Sequence, residues 1–248
     1  MKQNKFIVVS TAYNKGNYVS FNVNSIKQQS YKNYLAIYGY DISTDNTLER
    51  LEYSIEKDTR FIIHHNVNKG GHIDNFVSCI DYLKENSLIS PEDIIVEVDA
   101  DDWLLHPFVF QYLNQVYQDP NIWMSYGHYI EYPSGQLGGH FNMYLADNIR
   151  ESPFAYSHLK TYKAWLFDKV SREDLTNPET EKYWRAAPDF AMSMPMVEMA
   201  GKDRIFRLDQ PVYVYNVADD LESESNNRLV EQKHCDFLIR QLRPKERL

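Results

Sequence analysis

Over the first hundred residues, short apolar runs rich in β-branched side chains alternate with segments whose apolar residues recur at helical spacing. The apolar runs contain few polar positions, which is typical of strands buried on both faces of a parallel sheet. The pattern predicts an α/β fold with a mostly parallel central sheet and helices on both faces. The predicted strands are residues 5–10, 34–40, 60–65 and 93–99, and the predicted helices are residues 18–30, 45–57 and 73–85.

Each predicted strand is followed by a cluster of polar residues. In a parallel sheet the carboxyl ends of the strands share one edge, and ligands bind in the crevice beyond that edge. Clusters that are far apart in the sequence are therefore expected to meet at one site. The clusters are residues 11–14, 41–45, 66–72 and 99–102.

The pattern is less regular after Pro107, which indicates a mixed region. The whole pattern favours one domain, residues 1–248, with a ligand-binding half, an acceptor-side half and a C-terminal helix. These parts are residues 1–107, 108–225 and 226–248. Helices are expected at residues 108–118, 158–170, 189–201 and 226–242. The third of these should be kinked by Pro195 and ended by Gly201. Strands are expected at residues 122–132, 204–208 and 211–217, and a loop is expected at residues 171–183.

The composition narrows the classes of partner. The formal net charge is −9 and the pI is near 5.4, which argues against nucleic acid because phosphate binding needs a basic face. Cys79 and Cys235 form no CxxC pattern, so we expect reduced thiols in a cytoplasmic protein. The first residues lack the apolar core of a secretory signal, and no apolar stretch reaches the length of a transmembrane helix.

The segment IIVEVDADDW, residues 94–103, places Asp99, Asp101 and Asp102 directly after the fourth predicted strand. Two carboxylates about 5 Å apart repel each other by about 3 kcal/mol at an effective dielectric constant of about 20. Side chains alternate along an extended chain, so Asp99 and Asp101 project to the same side. Two such carboxylates suit a hard divalent cation that also binds diphosphate oxygens. The alternative is a solvated turn that caps the next element, a role that suits Asp102.

The ends of the first two predicted strands offer groups that suit a nucleotide. Thr11 supplies a hydroxyl and Tyr13 an aromatic face for a flat ring, although residues 14–16 (NKG) also have the composition of a plain strand-to-helix turn. Asp41 can accept hydrogen bonds from a ring N–H or a ribose hydroxyl. Residues 43–45 (STD) are expected to cap the following helix.

Taken in order, these motifs resemble a known family. The segments TAYN, QQSYKN, YGYDISTDNT, NVNKGGHIDN and VEVDADDWLLHP stand in the order and at the spacings of the nucleotide-sugar-binding half of family 2-like glycosyltransferases with the GT-A fold. The resemblance implies that Thr11, Tyr13 and Asp41 hold the base and ribose of a nucleotide-sugar donor. It also implies that Asp99 contacts the ribose or a metal-bound water and helps to bind the metal, and that Asp101 ligates Mn²⁺ or Mg²⁺.

The resemblance covers residues 5–107 continuously, with departures that concern the donor. Tyr40 and Ile42 flank Asp41 where the family has Asp and Gly, so the base contacts can differ from the common uracil mode. A UDP-sugar remains the expected donor.

The phosphate contacts also depart from the family pattern. The Arg that often follows the N-x-G segment is missing from this chain. Asn75 lies near its place and is expected to contact the donor. Lys69 and His72 are the alternative phosphate partners.

Residues 184–201 (WRAAPDFAMSMPMVEMAG) resemble the family segment in which an acidic pair opens a helix and supplies the general base. Pro188 stands in the place of the usual Glu, so the resemblance assigns the base to Asp189. The alternative is an N-cap, which Asp suits and which leaves one carboxylate oxygen free. Asp219 and Asp220 lie farther along the chain, after the strand expected at residues 211–217. One of them either completes the metal shell or belongs to a solvated acidic loop.

We therefore predict a metal-dependent, inverting glycosyltransferase that moves a sugar from a nucleotide diphosphate to a hydroxyl of a glycan or related acceptor. Two alternatives remain. A nucleotidyltransferase would need a G-x-G-T/S-R loop, which is missing after the first strand. A catalytically silent module that binds nucleotide sugars or glycans is the second alternative, suggested by the departures around Asp41 and at Asn216, which stands where many family members have the Arg of a Y-x-Y-R segment. The variable acceptor region comprises Glu131, residues 135–140, His158, Lys160 and Trp165.

Overall fold

The computed structural model describes residues 2–66, 70–138, 148–153, 155–218 and 226–248. Lys69, Asp219, Asp220 and the last two residues of the predicted loop 135–140 lie outside these ranges. Within the described ranges, no helix combines the length and the apolar composition that are needed to cross a membrane.

Strands and helices are numbered here in chain order. The strands are β1 (Phe6–Ala12), β2 (Tyr34–Tyr40), β3 (Phe61–His65), β4 (Ile94–Glu97), β5 (Trp103–Leu104), β6 (Met124–Tyr126), β7 (Tyr129–Tyr132), β8 (Leu137–Gly138), β9 (Lys160–Lys163), β10 (Thr176–Asn177), β11 (Lys182–Tyr183), β12 (Ile205–Arg207) and β13 (Tyr213–Asn216). The α-helices are α1 (Val19–Lys27), α2 (Thr47–Ile55), α3 (His72–Glu85), α4 (Val109–Val116), α5 (Ala164–Phe167), α6 (Pro188–Ala200) and α7 (Asn226–Gln241).

Seven strands form the central sheet in the order β12-β6-β9-β4-β1-β2-β3. Strands β4, β1, β2 and β3 run parallel to one another, as predicted. Strand β9 is inserted antiparallel between β4 and β6. A smaller sheet has the order β5-β13-β7-β8, and β10 and β11 form a separate hairpin. The predicted α/β fold with a mostly parallel central sheet is confirmed.

Alternate residues of β1 belong to two different hydrophobic cores. Phe6 and Val8 pack with apolar residues of α1, α2 and α4 on one face of the sheet. Ile7 and Val9 pack with α3 and α6 on the other face. Because both faces are covered, every position of this part of the strand is apolar, and the sequence shows a continuous run instead of an alternation.

The helix predicted at residues 158–170 is wrong. Residues 160–163 form β9, and only four residues continue as α5. The polar side chains of Lys160 and Thr161 do not face solvent, because Lys160 lies opposite Glu97 of β4 and Thr161 hydrogen bonds to the hydroxyl of Tyr117 at 2.7 Å. Partners far away in the sequence therefore satisfy polar positions that a helix would have turned outward.

The single strand predicted at residues 122–132 is also wrong. The chain leaves the central sheet after β6, and β7 joins the smaller sheet, where Tyr129 lies opposite Tyr213. The loop predicted at residues 171–183 contains the β10–β11 hairpin. The helix predicted at residues 189–201 is confirmed, with Pro188 as its first residue and Gly201 just after its end at a φ of 66°.

Candidate active site

The carboxyl ends of β1 and β4 bring three polar side chains together. The Oγ1 atom of Thr11 lies 3.0 Å from Nδ1 of His72, at the start of α3. The same His72 nitrogen lies 4.0 Å from Oδ1 of Asp99, which follows β4. Two of the predicted donor residues, Thr11 and Asp99, therefore meet at one edge of the sheet with the alternative phosphate partner His72 between them.

The acidic turn after β4 is fixed by a buried amide from α1. Nδ2 of Asn22 donates hydrogen bonds to the carbonyl oxygens of Asp99 and Asp102, both at 2.8 Å. The N–H of Asp102 donates to the carbonyl of Asp99 at 2.9 Å, which closes the turn. The backbone of the turn is therefore held from inside the protein, and its carboxylates are positioned by that frame.

Asp102 has a structural role in this turn. Its side chain is 1% exposed and accepts hydrogen bonds from the hydroxyl of Tyr213 and the N–H of Asn216, both at 2.7 Å. Burial raises the pKa of Asp102, and the charges of Asp99 and Asp101 raise it further. The carboxylate ties the turn to β13, which agrees with the turn interpretation of this residue.

Asp101 has a basic partner of its own. Its Oδ2 contacts Nζ of Lys15, in the loop after β1, and the two side chains are 20% and 28% exposed. From the sequence, a bound cation was expected to be the positive charge beside these carboxylates. In the structure, the ammonium group of Lys15 also lies beside Asp101. A metal ion that uses Asp101 has to share this carboxylate with Lys15 or displace it.

Asp99 lies among several charged groups. Burial raises its pKa to about 6, the charges of Asp189 and Asp101 act in the same direction, and His72 and Lys160 oppose them. A bound cation favours the ionised form of such a carboxylate. The site at Asp99 is therefore electrostatically suited to a divalent ion.

One group of three candidate metal ligands occurs within the described part of the chain. It consists of Asp99, Asp102 and His158, whose ligand atoms lie within 4.8 Å of one another. The His158 ring is stacked on Tyr213 and Tyr215, with ring centroids 5.0 and 5.4 Å away. Its Nδ1 is buried and has no hydrogen-bond partner among the described residues. Burial lowers the pKa of His158 to about 3, so the imidazole is neutral, which is the form that binds metals.

The other predicted donor residues lie at the ends of β1 and β2. Tyr13 follows β1 and is 39% exposed. Asp41 follows β2 and is buried, and its N–H donates to the carbonyl of Ala12 at 3.0 Å, which joins the ends of the two strands. Both residues therefore border the same crevice edge. Lys69 lies outside the described residues.

Asn75 lies between α3 and β2. It is 1% exposed, and its Nδ2 donates to the carbonyl of Gly39 in β2 at 2.7 Å. A Cβ atom on Gly39 would lie 2.1 Å from Oδ1 of Asn75, so the close contact between α3 and β2 requires glycine. The side chain joins the helix to the sheet.

Asp189 is the second residue of α6. It makes no capping hydrogen bond, and the N-cap residue is Ala187, so the capping alternative is wrong. Its Oδ1 accepts a hydrogen bond from Nζ of Lys160 at 2.5 Å, and its side chain is 42% exposed. Burial raises the pKa of Asp189, but Lys160, His158 and His72 lower it by more, and the pKa lies well below its usual range. The carboxylate is ionised and open on one side.

The open side of Asp189 faces a cavity of about 600 Å³. Its walls come from the segment before β9, the start of α6 and the C-terminal helix α7. The volume falls in the range of small-molecule sites. The side chains that α7 contributes are Gln232, Lys233, Asp236 and Arg240.

The sequence hypothesis missed two groups of this site. Lys15 was taken only as part of a turn, and Glu97 only as part of a strand. Glu97 is 5% exposed and binds Lys160 and the hydroxyl of Tyr162. The available signal was a charged residue inside the apolar run IIVEV, because a buried carboxylate needs a partner.

The profile of the family described as Glycosyl transferase family 2 matches residues 7–169. The chain belongs to this family. The match includes the turn after β4 and the whole of β9 and ends before Asp189. A search of curated proteins found no match to this chain.

Solved structures with the same fold include three proteins in complex with nucleotide sugars. S. aureus TarS 1-349 in complex with UDP-GlcNAc is 20% identical to this chain, with a TM-score of 0.65. The superposition covers 86% of this chain and 58% of TarS 1-349. The mannosyltransferase PcManGT from Pyrobaculum calidifontis, in complex with GDP-Man and Mn²⁺, is 13% identical, with a TM-score of 0.62 over 96% of this chain and 70% of that one. Glucosyl-3-phosphoglycerate synthase from Mycobacterium tuberculosis, in complex with Mn²⁺, UDP-Glc and phosphoglyceric acid, is 15% identical, with a TM-score of 0.57 over 94% and 80%. These similarities confirm the GT-A type of fold, and the chain spans little more than half the length of TarS 1-349.

Proposed function

We propose that this chain transfers a sugar from a nucleotide diphosphate donor, a UDP-sugar, to a hydroxyl group of a glycan or related acceptor with inversion at the anomeric carbon. The observation that carries the proposal is the pairing of two carboxylate sites. Asp99 and Asp101 follow β4 at the edge of the sheet where the donor would bind, and Asp189, close enough to Asp99 for their charges to interact, opens onto a cavity. A donor and an acceptor can therefore be held on two sides of one reacting centre.

The donor would lie across the carboxyl ends of β1, β2 and β4. Tyr13 offers an exposed ring to the base, and Thr11 and Asp41 offer hydrogen-bonding groups to the base and ribose. His72 lies between Thr11 and Asp99, where it can donate to a phosphate oxygen. Two of the three similar structures contain a uridine diphosphate sugar, which supports a UDP-sugar here.

The donor site also suits Mn²⁺ or Mg²⁺. Asp99 and Asp101 would hold the ion, and the neutral His158 is a further candidate ligand, because one of its ring nitrogens lies near Asp99 and its Nδ1 has no hydrogen-bond partner among the described residues. A bound divalent ion neutralises the charge that develops on the diphosphate leaving group. Two of the similar structures contain Mn²⁺, which supports this choice of cofactor.

Asp189 would act as the general base. Its carboxylate is ionised, partly exposed and directed to the cavity in which an acceptor fits. The acceptor hydroxyl transfers its proton to Asp189 while its oxygen forms the new bond to the anomeric carbon, on the face opposite the leaving diphosphate. The low pKa of Asp189 means that the proton moves late, when the attacking hydroxyl has become acidic.

Product analysis with Asp189→Asn tests the proposal. The wild-type protein is incubated with Mn²⁺, a panel of UDP- and GDP-sugars and glycan acceptors, and released nucleotide diphosphate and the glycosylated product are measured. We expect Asp189→Asn to lose about 10² to 10⁴ of the transfer rate while it still binds the donor. Asp203→Asn, on an exposed carboxylate paired with Arg247, is the matched control and should keep the wild-type rate.

The same measurement distinguishes the alternatives. A binding module would bind the donor in a Mn²⁺-dependent way and release no nucleotide diphosphate. A nucleotidyltransferase would release pyrophosphate in place of nucleotide diphosphate. Failure to bind any nucleotide sugar, with or without Mn²⁺, would contradict the proposal.

A further inference from the structure

Lys160 is a buried cation in the middle of the protein. It is the first residue of β9 and lies opposite Glu97 of β4 in the antiparallel register. It is 2% exposed, and its Nζ lies 3.0 Å from Oε2 of Glu97 and 2.5 Å from Oδ1 of Asp189. One ammonium group therefore joins a carboxylate of the sheet to the carboxylate that faces the cavity.

Glu97 prevents this ammonium group from turning to another position. Glu97 is itself 5% exposed, and its second oxygen accepts a hydrogen bond from the hydroxyl of Tyr162 at 2.6 Å. Moving a buried ammonium away from its carboxylates costs several kcal/mol in desolvation that nothing would compensate. Lys160 is therefore a fixed point, and the side chain of Asp189 is oriented against it.

We propose that Lys160 is a positioning residue for Asp189: anchored by Glu97, it fixes one carboxylate oxygen and thereby leaves the other directed to the acceptor cavity. This inference rests on the proposed function, because it assigns Lys160 a role through the general base. Lys160 contributes geometry and charge to Asp189 and takes no proton in the reaction. Burial lowers the pKa of Lys160, but Asp189 and Glu97 raise it by more, so the ammonium stays charged.

Several other charged or titratable groups face Asp189. His158 precedes β9, His72 begins α3, and Asp99 follows β4. The helix α7 contributes Lys233, Asp236 and Arg240 to the same cavity. Among the groups that lower the pKa of Asp189, Lys160 has the largest effect, so its removal should raise that pKa more than any change in α7.

The test compares Glu97→Gln with the double variant Glu97→Gln/Lys160→Met. Lys160→Met alone would leave a buried Glu97 charge unpaired and could unfold the protein. In the double variant both buried charges are removed together, and Tyr162 can still donate to the glutamine oxygen. Thermal unfolding verifies that each variant is folded, and Glu97→Gln/Lys160→Gln serves as a second double variant of more polar character.

Both double variants should lower kcat by about 10²-fold relative to Glu97→Gln, because a misplaced catalytic group costs about that factor. The KM for the donor and the affinity for Mn²⁺ should change less than about threefold relative to Glu97→Gln. At saturating Mn²⁺ and donor, the acid limb of the kcat profile should move to higher pH by at least about one unit. Lys160→Arg, which keeps the charge, should recover part of kcat and leave the acid limb in place.

An unchanged acid limb with a kcat within about threefold of Glu97→Gln would overturn the inference. Lower thermal stability with an unchanged pH profile would give Lys160 a structural role only, and would also overturn it. Asp189→Asn separates the two proposals: transfer that survives this change refutes the general base itself. If Asp189→Asn abolishes transfer but the double variants that lack Lys160 keep the pH profile, only the positioning role is refuted.

Discussion

Two carboxylates of the candidate site are each paired with a lysine, and the two pairs have opposite characters. Lys15 contacts Asp101 from a loop, and the two side chains are 28% and 20% exposed. Lys160 contacts Asp189 from a strand, is 2% exposed and is held by a second, buried carboxylate. The first pair lies at the edge of the sheet where we propose that the donor binds, and the second lies beside the cavity that Asp189 faces.

The difference teaches which end of the site can rearrange. Water screens a partly exposed ion pair, so that exchanging its partner costs little. A buried ammonium has no such freedom, because leaving its carboxylates exposes it to the full desolvation penalty. The Asp101 end can therefore exchange Lys15 for a metal ion, whereas the Asp189 end keeps its geometry through the reaction.

The largest expected effect is on stability. Lys160→Met should lower the free energy of unfolding by about 3 to 5 kcal/mol, because it leaves buried Glu97 without its cation. Lys15→Met should lower it by less than about 1 kcal/mol, as for other exposed pairs. Urea unfolding monitored by circular dichroism measures both. Equal losses in the two variants would remove the distinction between a fixed and an exchangeable pair.

The next expected effect is on metal binding at the donor edge. Asp101→Asn should weaken Mn²⁺ binding by about 10²-fold, because the affinity of a carboxylate site follows the number of charged ligands. Electron paramagnetic resonance of free Mn²⁺ in a titration reports the affinity directly. Asp203→Asn is the control on an exposed carboxylate elsewhere. If Asp101→Asn binds Mn²⁺ like the control, then the ion is held by Asp99, Asp102 and His158 without Asp101.

A pH effect of intermediate size tests the packing beside Lys160. Burial lowers the pKa of His158 from 6.5 to about 3, so the unfolded chain binds this proton more readily than the folded one. His158 therefore costs no stability above pH 6.5 and destabilises the fold as the pH falls from 6.5 towards 3, by at most about 1.4 kcal/mol per pH unit.

His158→Phe, which keeps a ring between Tyr213 and Tyr215, should lose less stability between pH 7 and pH 4.5 than the wild type does, as measured by urea unfolding at the two values. Asp99 has a raised pKa, so its contribution to stability changes with pH in the opposite direction. This contribution is present in both proteins and cancels when they are compared. Parallel losses in the two proteins would mean that His158 gains its proton in the folded state.

The smallest expected effect concerns Lys15 and Mn²⁺. If Lys15 competes with the ion for Asp101, Lys15→Met should strengthen Mn²⁺ binding by a few fold when no donor is present, in line with the small energy of an exposed ion pair. Isothermal titration with Mn²⁺ alone measures this change. Weaker binding in Lys15→Met would show that the lysine orders the acidic turn for the metal and does not compete with it.

Much of the donor half could be predicted because its signals are local. Apolar runs and helical spacings lie within a few residues of one another, and the polar clusters follow directly after the strands. The roles of individual side chains were less accessible. Asn75 lies near the expected place along the chain, yet its side chain points to Gly39, because a side chain's direction depends on how α3 packs on β2.

The sequence by itself determined the parallel α/β core, the acidic turn after the fourth strand and the helix that starts beside Asp189. Each of these depends on neighbours along the chain. Only the tertiary structure decided that β9 is a strand, that Asn22 holds the acidic turn from 77 residues away, and that Lys160 joins Glu97 to Asp189. A buried charge is stable only beside its partners, and the partners of Lys160 come together only when β9 is inserted into the sheet.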